Sequence, residues 1–191
     1  VGTMTYYDLK TKKFASLGHG AIDGSVRNGI LTKSYVSGIT KGIRGVPGEK
    51  KAYLDNKELG VITDNNDFGV FGNLTNSKIT GKVENELIKV ASRSEVHTGK
   101  AIITTVLTGD KKENFEVNII EVKNQNYPDI KGIKFEVTDQ NLLERTGGII
   151  QGMSGSPIVQ DGVLVGAVSH VLVEDSKTGY GVFAEFMLNY T

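Results

Sequence analysis

The stretch Gly152-Met153-Ser154-Gly155-Ser156-Pro157 reads as a tight turn that presents a nucleophilic serine. Glycines on both sides let the backbone take positive φ and approach a substrate closely, and Pro157 closes the turn before an apolar run. Such a turn exposes one hydroxyl and aims the N–H groups of Gly152, Met153 and Ser154 at a common point, as an oxyanion hole requires. An ordinary turn between strands has the same composition, so residues elsewhere in the chain must show whether Ser154 is a nucleophile.

The bulk composition excludes several classes of function. The 191 residues include 22 Lys and Arg and 22 Asp and Glu, so no net charge favours nucleic acid or an anionic membrane as a partner. There is no cysteine, which excludes thiol nucleophiles and disulfides, and no His pair has the spacing of metal ligands. We therefore expect no cofactor, no metal and no nucleic-acid partner. No stretch is apolar for long enough to form a membrane-spanning helix, and the start of the chain suggests a domain cut from a longer precursor.

Abundant glycine and short apolar segments rich in β-branched or aromatic residues predict an all-β protein. The predicted strands are Thr3–Tyr7, Lys13–Leu17, Gly29–Val36, Gly48–Asp55, Leu59–Thr63, Phe68–Leu74, Leu87–Ala91, Gly99–Leu107, Phe115–Val122, Lys134–Val137, Pro157–Gln160, Val163–His170 and Gly179–Ala184. Short helices are predicted at Asn141–Arg145 and Glu185–Leu188. Strands without intervening helices favour antiparallel barrels or a sandwich. A polar crossing at Glu95–Thr98 divides the chain into predicted sub-barrels 1–94 and 95–191.

Three histidines are available as the base that takes the proton of Ser154. His19 follows an apolar strand and lies between glycines, which delivers its side chain to a cleft at a strand end. His97 lies in a polar loop, where we expect it to be solvated. His170 ends the strand that follows the nucleophile turn, so we expect it to face a neighbouring strand or to line a pocket wall.

Three acids could orient that base, and spacing alone does not choose among them. Asp139 precedes a short helical turn, where an aspartate is also a natural N-cap. Asp67 falls midway between His19 and Ser154, where chymotrypsin-like chains carry their acid. Asp23 is four residues after His19 and could support that loop locally.

The order of these residues selects one serine-hydrolase layout. An α/β-hydrolase elbow reads Gly-x-Ser-x-Gly, but Ser156 occupies the last position, and only strand-like sequence follows Ser154. A histidine, then an acid, then a late serine in an all-β chain is the chymotrypsin order. We therefore predict a chymotrypsin-like double β-barrel with one or two short helices.

Four segments together give a more specific resemblance. They are Leu17-Gly18-His19, Pro47-Gly48-Glu49-Lys50, the run TGGIIQGMSGSPI from Thr146 to Ile158, and GAVSHV from Gly166 to Val171. This combination resembles the SpoIVB-type sporulation serine peptidases of endospore-forming bacteria, over essentially the whole chain. The resemblance implies a serine endopeptidase that is normally preceded by a membrane anchor and a PDZ domain.

The resemblance also implies roles for individual residues. The family's catalytic histidine, aspartate and serine correspond to His19, Asp139 and Ser154, with Asp67 as the alternative acid. The N–H groups of Gly152 and Ser154 would form the oxyanion hole. The expected substrate-binding residues, by analogy with the barrel, are Gly148, Ala167, Val168, Ser169 and Gly181. The segment Gly147–Gln151 carries no acid, so we expect no strong selection for basic residues in the substrate.

The biological role follows from the resemblance alone. It implies an extracytoplasmic enzyme, in the space between forespore and mother cell, which cleaves a membrane-associated regulatory protein in sporulation signalling and also processes itself. The PDZ domain of the full-length chain would be a further partner. The competing hypothesis is a non-catalytic binding domain on a peptidase-like barrel, in which the turn at Ser154 is only structural.

Overall fold

The structure is a computed structural model that describes residues 1–21, 28–75 and 87–191. Its strands are β1 (Met4–Tyr7), β2 (Lys13–Ser16), β3 (Gly29–Thr40), β4 (Glu49–Asn66), β5 (Gly69–Leu74), β6 (Gly99–Thr108), β7 (Lys111–Val122), β8 (Ile133–Val137), β9 (Pro157–Gln160), β10 (Val163–Leu172) and β11 (Asp175–Phe183). The helices are α1 (Gln140–Thr146) and α2 (Ala184–Leu188), with a 3₁₀ turn at Arg93–Glu95. No helix among these residues is long and apolar enough to span a membrane.

The described strands form two antiparallel sheets, one from each half of the chain. The first has five strands in the order β1-β2-β5-β4-β3, and the second closes into a barrel in the order β10-β11-β8-β7-β6-β9. The predicted all-β, chymotrypsin-like double-barrel architecture with two short helices is confirmed. The second sheet is a closed barrel, and the five described strands of the first form a half-barrel. The nucleophile turn lies just before β9, where the second barrel meets β1 and the end of β2.

Alternating side chains close the second barrel around a continuous apolar core. Along β6, Ala101, Ile103, Thr105 and Leu107 are buried while the alternate residues are more exposed, as the two-residue period of a strand requires. The β9–β10 hairpin turns at Asp161 and Gly162, whose φ angles of 51° and 78° are those of a type I′ turn. The Asp-Gly pair therefore fixes the register of the strand pair that carries the nucleophile turn.

Three predicted strands differ from the structure. The segments Gly48–Asp55 and Leu59–Thr63 were expected as separate strands, but β4 runs through the polar residues between them. Those residues face solvent, and the strand passes them in a register shift between the pair of Leu54 with Ser34 and that of Glu58 with Thr32, so polarity does not interrupt it. Leu87–Ala91 was predicted as a strand, yet it makes only an isolated bridge from Val90 to Leu164. The remaining predicted strands and both helices lie within a few residues of their observed bounds.

Candidate active site

The backbone of the nucleophile turn has a donor for every carbonyl from Gln151 to Gly155. The Gln151 carbonyl accepts from Lys50 N at 3.0 Å, and that of Met153 accepts from Ser156 N at 2.9 Å. Since the peptide bonds are trans, each carbonyl points away from the N–H of the following residue. The N–H groups of Gly152 and Ser154 are therefore turned to the opposite side, and within the described residues neither has a hydrogen-bond partner.

Met153 differs from its two neighbours. Its N–H donates to the Ile150 carbonyl at 3.1 Å, and its side chain is fully buried. This N–H is committed to the turn and is not available to a substrate. The geometry thus leaves two of the three N–H groups considered from the sequence, those of Gly152 and Ser154.

Thr3, just before β1, and Thr5, within it, supply the other donors to the turn. Thr3 N donates to the Ser154 carbonyl at 2.9 Å, and Thr3 Oγ1 to the Gly152 carbonyl at 3.2 Å. Thr5 Oγ1 donates to the Gly155 carbonyl at 2.8 Å. Nothing in the sequence indicates these contacts, because they join residues about 150 positions apart.

Lys50 lies against the turn as a buried cation. Its methylene stem is so close to Gly152 that a Cβ added there would lie 3.1 Å from it. The ammonium donates to Thr105 Oγ1 at 2.7 Å, which is its single hydrogen-bond partner among the described residues. Because charge is costly to bury, the pKa of Lys50 falls to about 8.

His19 is presented by a strained backbone. The residue two positions before it, Leu17, has φ = 71°, and Gly18 N donates to the Ser16 carbonyl at 3.0 Å, which closes a three-residue turn. A bulky residue at positive φ costs roughly 1–3 kcal/mol, and such strain concentrates at functional sites. The contact that holds it runs from Leu17 N to the carbonyl of Thr3 at 3.2 Å.

The ring of His19 has its tautomer set by the backbone. Nδ1 lies 2.8 Å from the Gly20 carbonyl, and since a carbonyl can only accept, Nδ1 carries the proton. In the neutral ring Nε2 is then the acceptor, which is the form a general base needs. The loop beyond is held by Asn65, whose amide bonds both the N–H and the carbonyl of Ala21, at 2.8 and 2.6 Å.

Ser154 and His19 contact two neighbouring residues of β10. The Ser154 hydroxyl donates to the Ser169 carbonyl over a long 3.4 Å, while the ring of His19 lies against that of His170, with centroids 5.3 Å apart. Both side chains are partly exposed. The structure thus brings the predicted nucleophile and base to one place, 135 positions apart in the chain.

His170 is half-buried beside His19. Burial lowers the pKa of His170 first, and the positive charges of His19 and Lys131 lower it further. The ring is therefore neutral at neutral pH, and it adds no second charge beside a protonated His19. We expected from the sequence that His170 lines a wall, and it forms the wall next to the base.

Asp139 caps α1: one oxygen accepts from Leu142 N at 3.0 Å and the other from Glu116 N at 3.3 Å. No hydrogen bond joins Asp139 to His19 among the described residues. Both oxygens are thus engaged at the start of the helix, and the role of Asp139 in orienting His19 stays a prediction.

Asp67 has no hydrogen bond to His19 in the described part of the chain either. It is exposed at the tip of the β4–β5 turn. Asp23 lies outside the described residues. His97 is exposed and bonds Asp161 at 2.8 Å, away from the turn.

The residues expected to bind substrate are mostly interior. The side chains of Ala167 and Val168 belong to the hydrophobic core, and Gly148 and Gly181 are packed against backbone or core side chains. The hydroxyl of Ser169 is bonded to the carbonyls of two neighbouring segments. Of this set, the carbonyl of Ser169 is the group that reaches Ser154.

Comparison with known proteins identifies the family of this chain. A family model described as SpoIVB peptidase S55 matches residues 1–188. No curated protein matches the chain.

The similar solved structures include Rv3671c protease from M. tuberculosis. Its active form is 15% identical, with a TM-score of 0.48 over 80% of this chain and 66% of that one. The inactive Ser343Ala mutant is 14% identical, with a TM-score of 0.47 over 74% of this chain and 68% of that one. This chain therefore spans about two thirds of the length of that protease.

A pair of substitutions at Asp139 separates capping from catalysis. Asparagine is as good an N-cap as aspartate, whereas alanine loses about 1 kcal/mol of stability. We expect Asp139→Asn to keep kcat and the cap bond to Leu142 N but to lose the bond to Glu116 N, with a small fall in melting temperature, and Asp139→Ala to lose both bonds and more stability while the folded fraction keeps its kcat. Peptidase kinetics and thermal unfolding measure both. A fall of about 10⁴ in kcat for Asp139→Asn is the result expected of an orienting acid, and it would contradict the capping assignment.

The buried Lys50 predicts a pH-dependent stability. Its folded-state pKa of about 8 is below its ordinary value of 10.5, so between these pH values the unfolded chain holds one more proton. Stability therefore rises with pH in this window, and below about pH 8 the cost of burying the charged Lys50 is fully present. Relative to Lys50→Met, the wild type should gain about 2 kcal/mol between about pH 8 and pH 10. Urea titrations measure this, with the exposed Lys51→Met as control; equal pH slopes for wild type and Lys50→Met would contradict it.

Proposed function

The chain belongs to the SpoIVB peptidase S55 family, whose members are serine endopeptidases, and on that premise we propose that Ser154 is its nucleophile and His19 its general base. One observation carries the proposal: the nucleophile turn leaves the N–H groups of Gly152 and Ser154 unpaired beside a hydroxyl that shares β10 with His19. These are the parts that acyl transfer requires.

The first chemical step forms an ester on Ser154. The Ser154 hydroxyl, which donates to the Ser169 carbonyl without substrate, rotates toward His19 and gives its proton to Nε2 as Oγ attacks the peptide carbonyl. The protonated His19 then passes that proton to the amine that leaves. Water repeats the sequence against the ester, which releases the acid product and restores the hydroxyl.

The charge that develops on the substrate oxygen is held by the turn. The N–H groups of Gly152 and Ser154 donate to the oxyanion, and the loss of one such donor typically costs roughly 3–4 kcal/mol of the activation free energy. Both N–H groups are already oriented by the bonds to their carbonyl neighbours, so no reorganisation is needed when the charge forms.

The orientation of His19 is provided by the Gly20 carbonyl. It accepts from Nδ1 and so plays the part that a carboxylate plays in the Ser-His-Asp arrangement. A carbonyl dipole stabilises the imidazolium less than a full charge does. The neutral ring of His170 partly offsets this deficit, because it places no repelling cation next to the protonated base.

The substrate and biological role are proposed from the family resemblance. The enzyme acts on proteins, and the resemblance supports a membrane-associated regulatory protein of sporulation signalling as the target, with self-cleavage as a second reaction. The same resemblance supports an extracytoplasmic location and control by a PDZ domain in the full-length chain. The alternative is a binding domain that carries out no reaction. Such a domain would have no use for the strained backbone at Leu17 or for the unpaired N–H groups of the turn, and both favour the peptidase.

Ser154→Ala should abolish cleavage of a protein substrate and leave the fold intact, because it removes only the attacking oxygen. A fluorophosphonate probe should label the wild type at Ser154, as read by peptide mass spectrometry, and His19→Ala should slow labelling by several orders of magnitude. His97→Ala, which changes an exposed histidine away from the turn, is the matched control and should label at the wild-type rate. Near-normal cleavage by Ser154→Ala would sink the assignment and favour the binding domain.

A further inference from the structure

Thr3, the residue just before β1, lies between the two halves of the proposed active site. The backbone of Thr3 donates to the Ser154 carbonyl at 2.9 Å and accepts from Leu17 N at 3.2 Å, two residues before His19. One residue thus bonds both the nucleophile turn and the segment that presents the base. The mechanism above uses neither Thr3 nor its neighbours.

The approach of the three segments is close. A Cβ at Gly155 would lie 2.0 Å from the Thr3 carbonyl oxygen and 2.5 Å from Leu17 N, so only glycine fits there. Gly155 has φ = 88° and Gly152 has φ = 92°. A turn with two glycines is permissive, since glycine reaches positive and negative φ about equally well. The turn therefore needs contacts from outside to select one conformation.

Two threonine hydroxyls, of Thr3 just before β1 and of Thr5 within it, make those contacts. Thr3 Oγ1 donates to the Gly152 carbonyl and Thr5 Oγ1 to the Gly155 carbonyl, that is, to both permissive glycines. Thr5 is 8% exposed, so its bond is protected from water. Each hydroxyl holds the peptide plane that follows its glycine. The plane after Gly152 lies between the two that carry the N–H groups of Gly152 and Ser154, and the plane after Gly155 follows them, so the loss of these bonds loosens the turn around those N–H groups.

We propose that Thr3 and Thr5 are positioning residues, which hold the turn in the conformation that directs the N–H groups of Gly152 and Ser154 to the oxyanion. The inference rests on the proposed function for its kinetic consequence. They touch neither the substrate nor the reacting atoms. Their loss therefore weakens transition-state stabilisation and leaves the binding of the ground state unchanged.

The test replaces each threonine by valine, which has nearly the same shape but no hydroxyl. Thr3→Val and Thr5→Val should each lower kcat about tenfold with KM within about twofold, as the loss of one hydrogen bond allows. Thr3→Ser and Thr5→Ser keep the hydroxyl and should keep kcat within about threefold. Thr104→Val is the control, because Thr104 Oγ1 donates to the exposed Asn114 on the β6–β7 hairpin and lies outside the site. Thermal unfolding confirms that each variant is folded at the assay temperature.

A second readout does not depend on activity. Backbone amide NMR of the Val variants should show exchange broadening or new signals at Gly152, Ser154 and Gly155, and wild-type signals in the Ser and Thr104→Val variants. An unchanged kcat together with unchanged amide signals in Thr3→Val and Thr5→Val would overturn the inference. A wild type that lacks Ser154-dependent cleavage contradicts the proposed function instead, and the amide signals then still decide the role of the two threonines.

Discussion

The backbone hydrogen bonds of Thr3 are the contact on which the proposed site depends. Through its N–H and carbonyl, this residue just before the four-residue strand β1 fixes the carbonyl of Ser154 and the strained turn before His19. The nucleophile belongs to the second barrel and the base to the first sheet, so neither sheet alone sets their relative position. The glycine at position 155 exists because these backbones come closer than any side chain allows. Strain at Leu17 is tolerated since the same bonds over-determine its conformation.

The fold was largely predictable because its signals are local. Short alternating segments, an Asp-Gly hairpin and a glycine-bracketed serine each carry their own structural preference, and the strands fall where those preferences place them. Predictions failed where a sheet overrode local polarity, as in the middle of β4, where pairing with β3 on either side of the polar residues keeps one long strand. The order of His19 and Ser154 in an all-β chain was enough to indicate the layout.

The supporting residues of the site could not be read from the sequence. Thr3, Thr5 and Lys50 act through contacts with residues about 100 to 150 positions away, and threonine in a strand or lysine near a turn gives no signal of its own. Asp139 fits two roles by residue type, and in the structure its oxygens meet two backbone N–H groups at a helix start. The Gly20 carbonyl that bonds Nδ1 of His19 is a backbone group, which residue identity does not reveal.

The most direct test is a crystal structure of the protein with a peptide boronic acid, which mimics the tetrahedral intermediate. We expect boron bonded to Ser154 Oγ, one boronate oxygen within hydrogen-bond distance of Gly152 N and Ser154 N, and His19 Nε2 directed at the adduct, with Nδ1 still on the Gly20 carbonyl and Thr3 still on the Ser154 carbonyl. A boronate oxygen bound elsewhere, or a turn that must rearrange to receive it, would contradict a preformed oxyanion hole. A carboxylate found at Nδ1 would contradict the role given to Gly20.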